Sequence, residues 1–248
     1  YGALSLNYAQ AEDFLYHNEK ITGLCCLDLK TGKKFEIKSR YVVSAAGPWV
    51  DTLRKVDNSL KGKRLFLSKG VHIVVAHERF PLQQAVYFDV PVGRMMIFAI
   101  PRNRATYIGT TDTPYEGDMN DIPVFEEDVA YLLDGVNHMF PDVNLKIEDV
   151  ESSWAGLRPL IYEEGKSASE MSRKDEIFES NSGLSSIAGG KLTGYRKMAE
   201  RIVDLVTEKF EHKFGKDLPE NYTERINLSG GPFRGEKEVK DYEAAITE

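Results

Sequence analysis

Apolar and polar residues alternate with a period of two through most of this chain, and a helical period appears in two places. Ala3-Leu-Ser-Leu-Asn-Tyr-Ala9 alternates and predicts a strand. Ile21–Leu29 is a second strand, running to the turn Lys30-Thr-Gly-Lys-Lys34, and Phe35–Lys38 pairs back as a hairpin. Tyr41–Val50 is an apolar run that ends in small residues and a Gly47-Pro48 break, the pattern of a parallel strand buried on both faces. Four further strands are predicted at Arg64–Ala76, Gln84–Asp89, Arg94–Ile100 and Ala105–Thr111. Their short spacing predicts an antiparallel meander.

From Val124 to Phe140 the period changes. Phe125, Val129, Leu132, Leu133, Val136 and Phe140 fall on one helical face. Val150–Arg158 returns to strand and is expected to stop at Pro159. A polar loop over 163–175 leads to short strands at Ile177–Glu179 and Leu184–Ala188, the second ending in Gly189-Gly190. Tyr195, Met198, Ile202, Leu205 and Val206 mark a second helix. Residues 215–248 are polar and are expected to be a linker towards a further domain. No internal repeat stands out.

Composition narrows the class. The 248 residues are 42% hydrophobic and 29% charged, enough for a sizeable core in one large domain or two small ones. Lys and Arg total 32 against 39 Asp and Glu, a net charge of −7, which argues against nucleic acid as a partner. Cys25 and Cys26 are adjacent and point to opposite faces of a strand, so a disulfide is not expected and a reducing compartment is the default. Neither a signal peptide nor an apolar run of ~20 residues is visible, so any membrane contact is expected to be peripheral. The opening Tyr1-Gly-Ala-Leu-Ser, without an initiator Met, reads as a chain cut from something longer.

Several groups could carry chemistry. Gly189-Gly190-Lys191-Leu192-Thr193 joins a strand to a helix start, where free backbone N–H groups and Lys191 favour an anion; a tight turn with a helix cap explains the same residues. Arg158 is in phase with Trp154 and Ser152, so its fork faces a partly enclosed space, as a carboxylate or phosphate ligand or as a structural ion pair. Arg173 lies in the charged loop. His72 shares a strand face with Val74 and is either a proton acceptor near neutral pH or a core histidine. Gly109-Thr-Thr-Asp-Thr closes a strand with hydroxyls and an aspartate. No residue set has metal-ligand spacing, and G-x-S-x-G, Walker and H-E-x-x-H patterns are missing, which removes the commonest hydrolases.

Six blocks occur in one order: Val42-Val-Ser-Ala-Ala-Gly-Pro-Trp-Val-Asp51, Ser68-Lys-Gly-Val-His-Ile-Val-Val75, Ile108-Gly-Thr-Thr-Asp-Thr113, Ala155-Gly-Leu-Arg-Pro-Leu160, Ser172-Arg-Lys-Asp175 and Gly189-Gly-Lys-Leu-Thr-Gly-Tyr-Arg-Lys-Met-Ala-Glu200. Together they resemble the FAD-dependent, aerobic glycerol-3-phosphate dehydrogenases over about residues 1–212. The alpha-glycerophosphate oxidases are close relatives of these enzymes. The family opens with a G-x-G-x-x-G segment and closes with a helical domain, and neither is found in these residues. Gly194 also stands where many members have Thr.

The resemblance implies an α/β (α+β) fold: an antiparallel-sheet substrate domain with helices, plus part of a glutathione-reductase-like FAD domain. On this reading 1–62 and 183–214 belong to the FAD domain, 63–182 to the substrate domain, and 215–248 to the linker. It implies oxidation of sn-glycerol 3-phosphate to dihydroxyacetone phosphate by hydride transfer from C2 to FAD, with a membrane quinone accepting the electrons. The oxygen-using oxidase, another amine or hydroxy-acid oxidase and a non-catalytic binding module are the alternatives. The resemblance carries over His72, Arg158 and Lys191 as catalytic residues, and Thr110, Arg158, Arg173 and Lys191 as substrate ligands. By the same resemblance Gly47, Gly189, Gly190, Leu192 and Thr193 are expected to face the cofactor. A cytoplasmic, peripherally membrane-associated full-length enzyme follows, with a homodimer as a further expectation. The segment itself is expected to be inactive.

Overall fold

The computed structural model describes residues 2–90, 96–162, 174–226 and 233–247, in two compact units, Tyr1–Leu192 and Thr193–Glu248. The first unit opens with an antiparallel sheet of β1 (Ala9–His17), β2 (Lys20–Asp28) and β3 (Lys34–Lys38). The strand expected at 3–9 is displaced, since residues 2–6 have no regular structure and pairing starts at Ala9 opposite Asp28. Alternation there finds no partner, because β2 ends at Asp28, whose carboxylate accepts from the Lys30 and Thr31 amides and starts the turn. Cys25 and Cys26 are both free thiols.

In the second sheet β4 (Val42–Ser44) runs parallel to β12 (Leu184–Gly189), and β11 (Asp175–Glu179) pairs with β12 antiparallel. The expected parallel pairing is present. Burial is one-sided, however, because Val43 is 40% exposed between buried Val42 and Ser44. Gly47, at φ +54, then turns the chain into a 3-10 turn (Gly47–Trp49) and α1 (Val50–Val56). Phe14, Ile21, Val42 and Leu184 bury together and join these two sheets.

The largest sheet holds β5 (Leu65–Ala76), β6 (Val86–Asp89), β7 (Met96–Arg102), β8 (Ala105–Gly109), β9 (Thr113–Pro114) and β10 (Val150–Ile161). Its order is β10-β5-β8-β7-β6, with β9 also on β5. The meander holds for β6-β7-β8, but β5 lies between β8 and β10 and does not pair with β6. That central place gives this long strand partners on both sides for its backbone groups. Pro159 does not stop β10: the strand continues to Ile161, with Pro159 opposite Leu67. An edge strand tolerates the missing N–H.

Helix α2 (Glu126–Met139) covers one face of this sheet. Its Val129, Leu132, Leu133 and Val136 pack on Val71, Ile73, Val75, Ile97, Ala99 and Ile108, each such side chain contributing roughly 1.5–3 kcal/mol by burial. A buried ion pair, Lys69 Nζ to Asp128 Oδ2 at 2.6 Å, pins the helix start to β5, and the same carboxylate oxygen accepts from the Phe125 amide. The opposite face of the sheet carries the functional candidates.

The second unit contains α3 (Tyr195–Phe214), which Gly215 ends in the left-handed conformation with its N–H on the Glu211 carbonyl. Within 215–248, the expected linker, the described residues include a 3-10 turn at Thr223–Arg225 and helix α4 (Glu236–Thr247). Few apolar residues mark α4 in the sequence. Its support is local: Glu236–Lys240 and Lys237–Asp241 ion pairs, and Phe233 against Tyr242.

Candidate functional site

One row of residues crosses the open face of the large sheet. Strand register places Trp154, His72, Gly109, Phe98 and Tyr87 side by side, from β10 through β5, β8 and β7 to β6. Gly109 is the gap in this row, and the His72 ring lies over it. A Cβ at Gly109 would stand 2.2 Å from the imidazole Cδ2 and 2.7 Å from Nε2. Trp154 stacks on His72, with ring centres 4.9 Å apart and planes within 4°, while Phe98 leans on it at 5.5 Å.

This packing sets the state of the imidazole. Burial pushes its pKa below the ordinary value, and the positive charge of Arg158 pushes it the same way. His72 is therefore neutral near pH 7 and able to accept a proton. Of its two ring nitrogens, only Nδ1 is sealed from solvent without a hydrogen-bond partner among the described residues.

Arg158 lies two steps along the same face, opposite Ser68. Its guanidinium donates to the Thr110 hydroxyl (2.9 Å) and the Thr111 carbonyl (3.1 Å), and meets the Asp112 carboxylate at 3.5 Å. Asp112 also accepts from the buried Ser68 hydroxyl. The clasp forms where β8 ends: Thr111 Oγ1 accepts from the Val71 amide, continuing the ladder with a side chain while residues 110–112 wrap the arginine. The guanidinium lies over Gly70, whose Cβ would stand 2.5 Å from both terminal nitrogens.

Thus His72, Thr110 and Arg158 come together on one face. β10 packs against the 3-10 turn Gly47–Trp49 and against β12, the strand that ends at Gly189. Gly189 and Gly190 have φ of +81 and +74. At Gly189 a Cβ would stand 2.5 Å from the Lys174 carbonyl, so the turn requires glycine. Lys191 and Leu192 follow, both exposed, with Leu192 at 90%. Thr193 lies in a 3-10 turn (Leu192–Gly194), and α3 proper starts at Tyr195 in the second unit, two residues later than the spacing suggests. Arg173 lies outside the described residues.

Comparison with known proteins now decides the family. A model described as FAD dependent oxidoreductase matches residues 1–196. The chain belongs to that family. It is 49% identical over 247 residues to the aerobic glycerol-3-phosphate dehydrogenase of Bacillus subtilis (strain 168), covering 100% of this chain and 44% of the relative. The corresponding enzyme of Staphylococcus aureus (strain USA300) is 50% identical over 237 residues, covering 95% and 42%. Among solved structures, the glycerol-3-phosphate dehydrogenase from Bacillus halodurans complexed with FAD superposes with a TM-score of 0.83 at 50% identity, covering 99% of this chain and 46% of that one. The chain therefore spans less than half the length of these relatives.

Asp112, Ser68, Gly70 and Gly109 also line this face; Gly109 and Asp112 belong to the strand end singled out by its hydroxyls and aspartate, whereas Ser68 and Gly70 do not stand out from spacing alone. Glycines inside two strands of otherwise regular period were the available signal, since such residues mark a close approach of another group.

Proposed function

We propose that the protein is a FAD-dependent glycerol-3-phosphate dehydrogenase, and that the open sheet face carrying His72 and Arg158 is its substrate platform. The neutral imidazole held beside a clasped guanidinium supports this most directly. In the proposed reaction the C2 hydroxyl gives its proton to His72 Nε2, the nitrogen that is not sealed, as the C2–H leaves as hydride and the C2 carbonyl forms. Arg158 and Thr110, with Lys191 and Arg173, hold the phosphate and hydroxyls. Two charged forks suit a dianion.

FAD, when bound, supplies the acceptor for that hydride. The backbone fits the flavin end: Gly47 has φ +54 and no described atom within 4 Å of its Cβ position, so a flat ring can come close. Gly189, Gly190, Leu192 and Thr193 are the other proposed cofactor contacts. This division gives 1–62 and 183–214 to the cofactor and 63–182 to the substrate.

The finer reading is also a proposal: electrons pass to a membrane quinone rather than to oxygen, in a cytoplasmic, peripherally attached enzyme that can form homodimers. Among the described residues no helix is long and apolar enough to cross a membrane. Anaerobic mixing of the full-length protein with sn-glycerol 3-phosphate tests the core of it. Loss of the oxidised-flavin band with one dihydroxyacetone phosphate per flavin is expected, and an unchanged spectrum would refute it. Quinone reduction against peroxide formation then separates dehydrogenase from oxidase.

A further inference from the structure

An imidazole on a strand can take a proton from a substrate hydroxyl only while its ring is held in one place, since misplacing a reacting group by about 1 Å can cost a hundredfold in rate. Three neighbours confine His72, and they do different things. Gly109 lets the ring edge come down onto β8 and so sets its depth. Phe98 leans on it with planes 46° apart, a contact that many ring angles would allow. Trp154 lies flat against it, with ring centres 4.9 Å apart and planes within 4°. Turning the imidazole about its own side-chain bond would break that face-to-face contact, so the plane of the ring is set by Trp154.

The ladder itself delivers this stack. Trp154 and His72 are direct partners across β10 and β5. Side chains paired in this way start about 4.5–5.5 Å apart, a spacing that suits two stacked rings. Trp154 is steadied in turn by Tyr107 of β8, whose ring meets it edge-on at 5.5 Å and 84°. Yet the tryptophan does little for the core. It stays 43% exposed on the edge strand β10, on the face away from α2, and is no part of the cluster buried under that helix. A cross-strand aromatic pair steadies a sheet only modestly, so the better account of this side chain is what it does to its partner.

We infer that Trp154 is a positioning residue: it holds the His72 ring in the plane from which Nε2 takes the C2 hydroxyl proton, and it acts through that ring. This rests on the function proposed above and adds to it a residue that touches no reacting atom. The position requires a flat face, which phenylalanine keeps and leucine, though apolar, does not.

The test uses Trp154→Phe and Trp154→Leu in the full-length enzyme, each alone and combined with His72→Asn. Flavin content and thermal midpoint should be alike in the two single variants, because both keep apolar bulk on a half-exposed edge strand. Anaerobic rapid mixing with glycerol 3-phosphate should show flavin reduction slowed at least about tenfold by leucine and within about threefold of wild type with phenylalanine. In the His72→Asn background the leucine substitution should slow reduction by less than about twofold further, because the ring it positions is gone. Three results overturn the inference and leave the proposed function standing: a leucine variant as fast as wild type, a phenylalanine variant as slow as the leucine one, or a leucine penalty of equal size with and without His72. A wild type whose flavin is not reduced by glycerol 3-phosphate overturns the proposed function and this inference with it.

Discussion

The guanidinium of Arg158 and the backbone of Gly70 share one space: both terminal nitrogens lie 2.5 Å from the point where a Cβ on Gly70 would stand. Gly70→Ala must therefore displace the fork from Thr110 and Asp112. Because the arginine is part-exposed, it can move without unfolding the sheet. The expected result is a ten- to hundredfold fall in kcat/KM, about 1.4–2.7 kcal/mol, with a small change in thermal midpoint. Steady-state kinetics of the full-length variant beside its melting curve checks this.

Gly109 holds the matching position under His72. Gly109→Ala would place a methyl 2.2 Å from the imidazole Cδ2, lifting the ring off its stack with Trp154. A loss of flavin-reduction rate approaching that of a His72 substitution is expected, measured by rapid mixing. A rate equal to wild type would mean that the ring geometry does not matter.

The pH dependence has a definite sign. The pKa of His72 is lowered in the folded state, first by burial and then by Arg158. Above about pH 6.5 folded and unfolded chains are both neutral at this residue and no penalty exists. As pH falls below that value the unfolded chain takes the proton first, so stability drops until the folded pKa has been passed. Thermal midpoints of wild type should fall more than those of His72→Asn between about pH 7 and pH 5. Histidine-labelled NMR should show the His72 pKa rising in Arg158→Gln, because one of its two causes is removed.

Lys69 and Asp128 are 6% and 8% exposed in their side chains and pair at 2.6 Å. Lys69→Met strands a buried carboxylate at the start of α2, an expected cost of about 3–5 kcal/mol. Adding Asp128→Asn should recover part of it, read as thermal midpoints of the two variants.

Long elements with a clear period were legible in the sequence. The α2 stripe Val129, Leu132, Leu133 and Val136 specifies its buried face, although Phe125 at its head is 52% exposed at the helix cap, and the alternation of β5 does the same for the strand, where a one-residue slip would expose the whole set. Partners were less legible. Nothing local to Val86–Asp89 says that β6 goes to the far edge, and nothing in Pro159 says that its N–H side is free of a ladder. Helix α4 has no apolar stripe to mark it in the sequence, because its support is ion pairs. At the site, His72 and Arg158 were visible by residue type and phase. The glycines that make room for them were not, since their role exists only across paired strands.

The central claim is that His72 accepts the C2 hydroxyl proton on this sheet face while C2 gives up its hydride. Anaerobic rapid mixing of the full-length enzyme with glycerol 3-phosphate, unlabelled and deuterated at C2, tests it in wild type and His72→Asn. Flavin reduction should show a primary isotope effect in wild type and slow by roughly a hundredfold or more in the variant, as loss of a general base does. Reduction at the wild-type rate in His72→Asn, or an isotope effect of one in wild type, would contradict the account.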